Sequence, residues 1–210
     1  MNLAGDSLRG LYAITDSLLT PGGQLLAAVE SAIRGGARLV QYRDKSPDRP
    51  SRERQARALL QLCHQHDVPL IINDDVELAI VIGADGVHLG HQDMALDEAR
   101  VRLGPRAVIG ISCHDSLEQA VRAVHAGADY VAFGSFFYSP SKPGAVRAPL
   151  SLLESARHTL NVPLCAIGGI TPDNGAALVK AGAHMLAVIS GVFAQPDIEA
   201  AARKYARLFQ

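Results

Sequence analysis

Three polar residues spaced by two, Gln41, Arg43 and Lys45, follow a short apolar run near the start of the chain. Alternate residues of an extended segment share one face, so these side chains point one way and the residues between them face the opposite side. Burial of an unpaired Arg or Lys is strongly unfavourable. We therefore expect these side chains to lie at an open strand end, where they can bind an anionic ligand. Arg offers a planar fork to phosphate and Lys a point charge. The alternative is a solvated strand end whose cations pair with Asp44 or Asp48.

Two carboxylates, Asp74 and Asp93, are candidate ligands of Mg²⁺. One or two carboxylates together with substrate phosphate oxygens are the usual ligands of this ion. The alternative is helix capping, by Asp74 or Asp75 for one helix and by Asp93 for the next. Asn73, directly before Asp74, either fixes its loop as a polar strand end or contacts a ligand.

Two glycine-containing segments late in the chain, Gly168-Gly169 and Ile189-Ser190-Gly191, follow predicted strands. Backbone N–H groups after the last two strands of an alternating β/α barrel commonly accept a phosphate. The alternative for the glycine pair is a tight turn alone.

Residues 134–148 form a loop that is long for a strand-to-helix connection. It contains Ser139, Ser141 and Lys142 among prolines. Loops of this length are usually functional or disordered. We interpret it as a lid that brings hydroxyls and a cation to phosphate, against the alternative of a polar surface excursion.

Nucleophilic catalysis has little support. Ser112 and His114 follow a predicted strand, but GxSxG does not occur in the sequence. His88 within a strand is more typical of a hydrogen-bonded core histidine than of a ligand.

The elements that must position these residues alternate strictly. Eight short apolar runs of strand length are separated by segments with helical spacing, and Gly-Ala pairs stand where helices should end. Strands alternating with helices imply a parallel sheet, and eight units in 210 residues without a linker predict one (β/α)8 barrel domain over residues 1–210. An open doubly wound sheet is the alternative. The predicted strands are residues 11–14, 39–42, 70–73, 86–89, 107–111, 130–133, 164–167 and 185–189.

Three pairs predict helix starts: Asp115 with Glu118, Ser151 with Glu154, and Thr171 before a proline. In a barrel of this kind the carboxyl ends of the strands carry the chemistry. The polar residues named above follow predicted strands, whereas the strand starts carry ordinary turn residues.

Composition excludes several classes of protein. Twenty Lys+Arg against 21 Asp+Glu give a net charge of −1, which gives no support for nucleic-acid binding. Three separated cysteines predict reduced thiols. We expect no signal peptide and no membrane span, since the apolar stretches fall short of ~20 residues. These features predict a cytoplasmic protein, and they leave its state open between a monomer and a homo-oligomer.

Seven motifs in order resemble the thiamine-phosphate synthase family over about residues 11–209. They are Gln41-Tyr-Arg-Asp-Lys45, Asn73-Asp74, Gly86-Val-His-Leu-Gly90 with Asp93, Ser112-Cys-His114, Ser139-Pro-Ser-Lys-Pro-Gly144, Ala166-Ile-Gly-Gly-Ile170 and Ile189-Ser190. The family joins 4-amino-2-methyl-5-hydroxymethylpyrimidine diphosphate to a (carboxy)thiazole phosphate, which gives thiamine phosphate and pyrophosphate.

The resemblance implies roles for individual residues. Mg²⁺ would be bound by Asp74 and Asp93. The implied catalytic residues, which would hold the pyrimidine diphosphate, are Arg43, Lys45, Ser112 and Lys142. The three cations among them would neutralise the departing diphosphate together with Mg²⁺. The remaining substrate contacts implied are Gln41, Tyr42, Asp44, Asn73, Ser139, Pro140, Ser141, Gly169, Ile189 and Ser190. The two serines of the loop stand where the family usually has threonine and keep the hydroxyl.

Three other functions are weighed against the synthase. A thiazole phosphate tautomerase of the same fold tends to lose the Asn-Asp pair and has histidine where this chain has Ser135. A non-catalytic regulator that binds thiazole phosphate would need neither the metal carboxylates nor Arg43 and Lys45. A phosphosugar isomerase would share the late phosphate site but lack the Gln-x-Arg-x-Lys run.

Overall fold

The computed structural model describes residues 8–138 and 146–210, and its centre is a closed parallel barrel. Eight strands pair in chain order, and β1 closes the ring against β8. The predicted barrel is confirmed, and the open sheet is excluded. The strands are β1 (Gly10–Ile14), β2 (Ala37–Tyr42), β3 (Leu70–Asn73), β4 (Gly86–Leu89), β5 (Val108–His114), β6 (Tyr130–Phe133), β7 (Leu164–Ile167) and β8 (Met185–Val188).

Helices follow the strands and cover the outside of the barrel. They are α1 (Leu25–Arg34), α2 (Arg49–Gln65), α3 (Val76–Ile82), α4 (Leu96–Leu103), α5 (Leu117–His125), α6 (Leu150–Thr159), α7 (Pro172–Ala181), α8 (Ser190–Phe193) and α9 (Ile198–Ala206), with a 3₁₀ turn at Arg207–Phe209. That a single domain spans all of residues 1–210 stays a prediction.

Two separate apolar layers result from the alternation along each strand. One layer lies between strands and helices and includes Val40 and Tyr42. The other fills the barrel and includes Tyr12, Ile71 and Tyr130. Strand β5 runs to His114, three residues beyond the predicted end, which carries its polar end to the mouth of the barrel.

The observed helix starts agree only in part with those predicted from the sequence. Thr171 is the N-cap of α7, as predicted, and it also forms a complete capping box with Asn174. Helix α5 is capped by Ser116 instead of Asp115. Helix α6 begins one residue before Ser151, after Pro149, so the second predicted box is wrong as well. Pro149 directly precedes α6. Because the fixed φ and missing N–H of proline are tolerated at the start of a helix, α6 begins directly after Pro149.

The three cysteines are buried and free. Burial raises the pKa of the Cys63, Cys113 and Cys165 thiols to about 12, so they are protonated at neutral pH. Within the described ranges, no helix is both long and apolar enough to cross a bilayer.

Candidate active site at the carboxyl ends of the strands

A sharp turn at the end of β3 separates two adjacent carboxylates. Asp74 has a left-handed φ of 61°, which Asp tolerates better than most residues. Its backbone N–H donates to the His88 carbonyl at 2.9 Å. Asp75 takes the capping role instead, because its Oδ1 accepts the Leu78 N–H at 2.9 Å at the start of α3. The turn therefore leaves the Asp74 carboxylate available for chemistry at the rim.

Asp93 is not a helix cap either. Helix α4 begins after Ala95, and Asp93 Oδ2 accepts the Gly90 N–H at 2.7 Å, which folds the β4 loop back on itself. Burial raises the pKa of Asp93, and the neighbouring Asp74 carboxyl raises it further through a hydrogen bond and its charge. The capping alternatives for both carboxylates are thus excluded, and the two side chains are neighbours.

A cavity of about 500 Å³ opens at this rim, beside β2, β3 and β4. The Lys45 ammonium forms an ion pair with Asp74 Oδ2 at its edge. Five residues predicted from sequence share the wall: Asp44, Lys45, Asn73, Asp74 and Asp93. Arg52 and Gln92 also line it, and the sequence analysis did not predict them.

Arg43 lies on the β1 side of Lys45. Its guanidinium is 3.5 Å from the Asp16 carboxylate, and its backbone N–H donates to Thr15 Oγ1 at 2.9 Å. Strand β2 ends at Tyr42, so strand alternation does not extend to Arg43 and Lys45. The predicted shared strand face of Gln41, Arg43 and Lys45 is therefore wrong for the last two residues. They lie in the loop after the strand and pair with carboxylates from different strand ends. Asp16 and Thr15 carried no sequence signal, because Arg43 is distant along the chain and comes close only through the pairing of β1 with β2.

Gln41 and Tyr42 point to opposite sides of β2, as predicted. Gln41 is 2% exposed inside the barrel, and its Nε2 donates to the Tyr12 hydroxyl at 2.6 Å. The Tyr42 hydroxyl lies in the outer layer, 3.2 Å from Asp44 Oδ2 and 3.0 Å from Gln55 Oε1. The Tyr42 side chain thus supports the Asp44 loop from behind.

Ser112 lies at the bulged end of β5, where the register with β6 shifts before His114. Its Oγ is 2.9 Å from His88 Nε2. Burial lowers the pKa of His88 to about 4, so the ring is neutral at physiological pH. His88 is a hydrogen-bonded core histidine, as expected, and it also contacts a predicted site residue.

The glycine pair after β7 has left-handed backbone, with φ of 103° at Gly168 and 62° at Gly169. A Cβ on Gly169 would lie 2.2 Å from the Tyr138 carbonyl oxygen, so only glycine fits. Ile189 and Ser190 follow β8, and Ser190 opens α8. Strands β7 and β8 lie across the ring from β3 and β4, which leaves the barrel mouth between this region and the carboxylates.

The ends of the long loop are fixed to the barrel. Phe136 and Phe137 donate backbone hydrogen bonds to Ile167 and Gly168, and Ala148 donates to the Ser135 carbonyl at 2.9 Å. The predicted contacts Ser139, Pro140, Ser141 and Lys142 lie outside the described residues.

Comparison with known proteins agrees with this geometry. The profile of the family described as "Thiamine monophosphate synthase" matches residues 11–192. The chain belongs to this family. It is 59% identical to the thiamine-phosphate synthase of Thioalkalivibrio sulfidiphilus over 210 residues, all of both chains. It is 52% identical to that of Nitrosococcus oceani, with 97% of this chain and 94% of the relative covered.

A solved structure gives the same result for the fold. The thiamine phosphate pyrophosphorylase from Pyrococcus furiosus superimposes with a TM-score of 0.87 at 33% identity, covering 97% of this chain and 96% of that one. Family membership therefore extends over nearly the whole barrel, including the strand ends that carry the site.

Proposed function

We propose that this chain is a thiamine-phosphate synthase. It joins the hydroxymethylpyrimidine diphosphate to a (carboxy)thiazole phosphate and releases pyrophosphate. The observation that carries the assignment of the site is the group of Lys45, Asp74 and Asp93 around one cavity, at the strand ends where the family motifs stand. A tautomerase or a phosphate-binding regulator would not need this group.

The chemistry divides between a leaving group and a nucleophile. The carbon–oxygen bond to diphosphate breaks with its electron pair on the diphosphate, and the electron-rich aminopyrimidine stabilises the cation left behind. The thiazole nitrogen then forms the new bond to that carbon. This scheme needs charge stabilisation and alignment of the two rings, with no strong general base. Arg43, Lys45 and Lys142 would stabilise the departing diphosphate.

The two carboxylates fit Mg²⁺. Asp74 and Asp93 are neighbours on an open wall, and within residues 8–138 and 146–210 no further His, Cys, Asp or Glu joins them in a cluster of three or more. An ion held by two carboxylates keeps positions for phosphate oxygens and water, which is the coordination that Mg²⁺ prefers. When bound, it would supply positive charge to the diphosphate.

The second substrate has a separate place at the mouth. We assign its phosphate to Gly169, Ile189 and Ser190, and to Ser139 and Ser141 from the long loop, which would close over both rings and exclude water. Cytoplasmic localisation and the oligomeric state stay predictions.

Mass detection of thiamine phosphate from the two substrates, with Mg²⁺ and with EDTA, tests the proposal. We expect product only with Mg²⁺, and loss of most activity in Arg43→Ala and Asp74→Ala. Arg122→Ala removes an exposed cation of α5 and serves as the control. Unchanged turnover in the first two variants would show that the site lies elsewhere, and no product from the parent protein would exclude the function.

A further inference from the structure

A continuous hydrogen-bonded chain crosses the inside of the barrel and joins two predicted substrate contacts. Gln41 bonds Tyr12 at one end, and His88 bonds Ser112 at the other. Between them, the Tyr12 and Tyr130 hydroxyls are 2.9 Å apart, and the Tyr130 hydroxyl is 2.9 Å from His88 Nδ1. Both ring nitrogens of His88 are therefore engaged by hydroxyl groups.

A glycine makes room for the centre of this chain. Gly110 stands between His88 on β4 and Tyr130 on β6 in the strand register. A Cβ there would lie 1.9 Å from the Tyr130 ring, so only glycine lets the tyrosine pass over β5. The His88 and Tyr130 rings stack with their centroids 5.5 Å apart. Strand register and one missing side chain thus bring residues of five strands into one polar network.

The donors fix the direction of the chain. The Gln41 amide donates to Tyr12, so the single proton of Tyr12 is satisfied in this buried setting only by donating to Tyr130. Tyr130 accepts there and gives its own proton to His88 Nδ1. A ring that accepts at Nδ1 carries its proton at Nε2, which donates to Ser112 Oγ. Ser112 Oγ therefore accepts from His88, and its own proton is not used within the network.

We infer that Tyr130 and His88 are positioning residues, which hold the Ser112 hydroxyl as a hydrogen-bond donor toward the pyrimidine diphosphate. This inference rests on the proposed function. Without the Tyr130 hydroxyl, His88 is free to place its proton on Nδ1 and to accept from Ser112 at Nε2. The serine would then turn its proton inward and lose its donor role toward the substrate.

A double-mutant cycle tests the link. Tyr130→Phe keeps the ring and removes only the hydroxyl, and we expect it to weaken binding of the pyrimidine diphosphate about tenfold, the scale of one hydrogen bond. Ser112→Ala should cause a similar loss, and the double variant should be no weaker than Ser112→Ala alone. Tyr205→Phe is the matched control, because its buried hydroxyl donates to the Ile170 carbonyl outside the network. An equal loss from Tyr130→Phe in both backgrounds would indicate a purely structural role and overturn the inference.

A second readout does not depend on any ligand. Imidazole ¹⁵N shifts of the free protein report which nitrogen of His88 carries the proton, with the signal assigned by its absence in His88→Asn. We expect protonated Nε2 in the parent and a mixture of tautomers in Tyr130→Phe. Protonated Nδ1 in the parent would overturn the inference even if the protein makes thiamine phosphate. Absence of product with the expected tautomer would instead refute the proposed function alone.

Discussion

Replacing Lys45 with methionine should have two effects of opposite sign. The Lys45 ammonium pairs with Asp74, one of the two carboxylates proposed to bind the metal. A divalent cation must displace it from that oxygen, so the lysine competes with the metal. The same lysine is proposed to stabilise the departing diphosphate. Lys45→Met should therefore tighten metal binding to the free protein and slow turnover.

The size of the first effect follows from exposure and charge. The Lys45 side chain is 59% exposed, so the ion pair contributes about 0.2–1 kcal/mol. An ammonium at about 6 Å from a divalent ion in water adds repulsion of about 1.4 kcal/mol before salt screening. After screening, removal of the lysine should lower the dissociation constant of the metal about three- to tenfold.

Electron paramagnetic resonance with Mn²⁺ alone, without either substrate, measures that constant. Lys45→Arg keeps the positive charge and should bind Mn²⁺ like the parent. Arg122→Met, which removes one exposed cation from α5, controls for net charge. Unchanged or weaker Mn²⁺ binding in Lys45→Met would refute competition between lysine and metal at Asp74.

Three further predictions concern neighbouring or matched residues. Asp75→Ala should lower the free energy of unfolding by about 1 kcal/mol in urea, since it removes the α3 cap. Asp74→Ala should instead remove most of the turnover with little change in stability, and equal effects of the two variants would contradict the division of roles. Gly169→Ala should raise KM for thiazole phosphate at least tenfold because of its positive φ and the clash described above, while Gly83→Ala, also at positive φ but with open space, should only lower the melting temperature. Burial lowers the pKa of His184 below that of the unfolded chain, so the unfolded state binds the extra proton and stability should fall as pH drops below 6.5. His88, whose pKa burial also lowers, adds to this fall. Urea titrations of His184→Asn should therefore show a smaller loss of stability below pH 6.5 than the parent, and an unaltered pH profile would refute the contribution of His184.

Local sequence patterns were sufficient to predict most of the strands and helices. Four of the eight predicted strands, including those ending at Asn73 and Phe133, have the predicted bounds. Apolar runs, Gly-Ala punctuation and turn residues act within a few neighbours along the chain, so sequence carries them directly. The helix starts near Ser116 and Pro149 differ because several adjacent residues can cap a helix, and packing selects one of them.

The roles of the site residues could not be predicted from local sequence patterns alone. Sequence placed Asp74 and Asp93 after neighbouring strands, but it left Asp74 and Asp75 equally suited to capping. The left-handed turn at Asp74 decides between them, and that turn depends on a backbone bond to β4. Asp16 beside Arg43 shows the same limit, because the two residues are far apart along the chain and only the parallel pairing of β1 with β2 brings them together.

The sequence by itself determined that candidate site residues lie at the carboxyl ends of seven of the eight strands, because side-chain alternation and strand order are local properties of the chain. Only the tertiary structure decided which of those residues touch. The link from Gln41 to Ser112 through Tyr12, Tyr130 and His88 joins five strands whose residues are far apart along the chain. Its geometry depends on barrel closure and on the space left at Gly110, which no local pattern encodes.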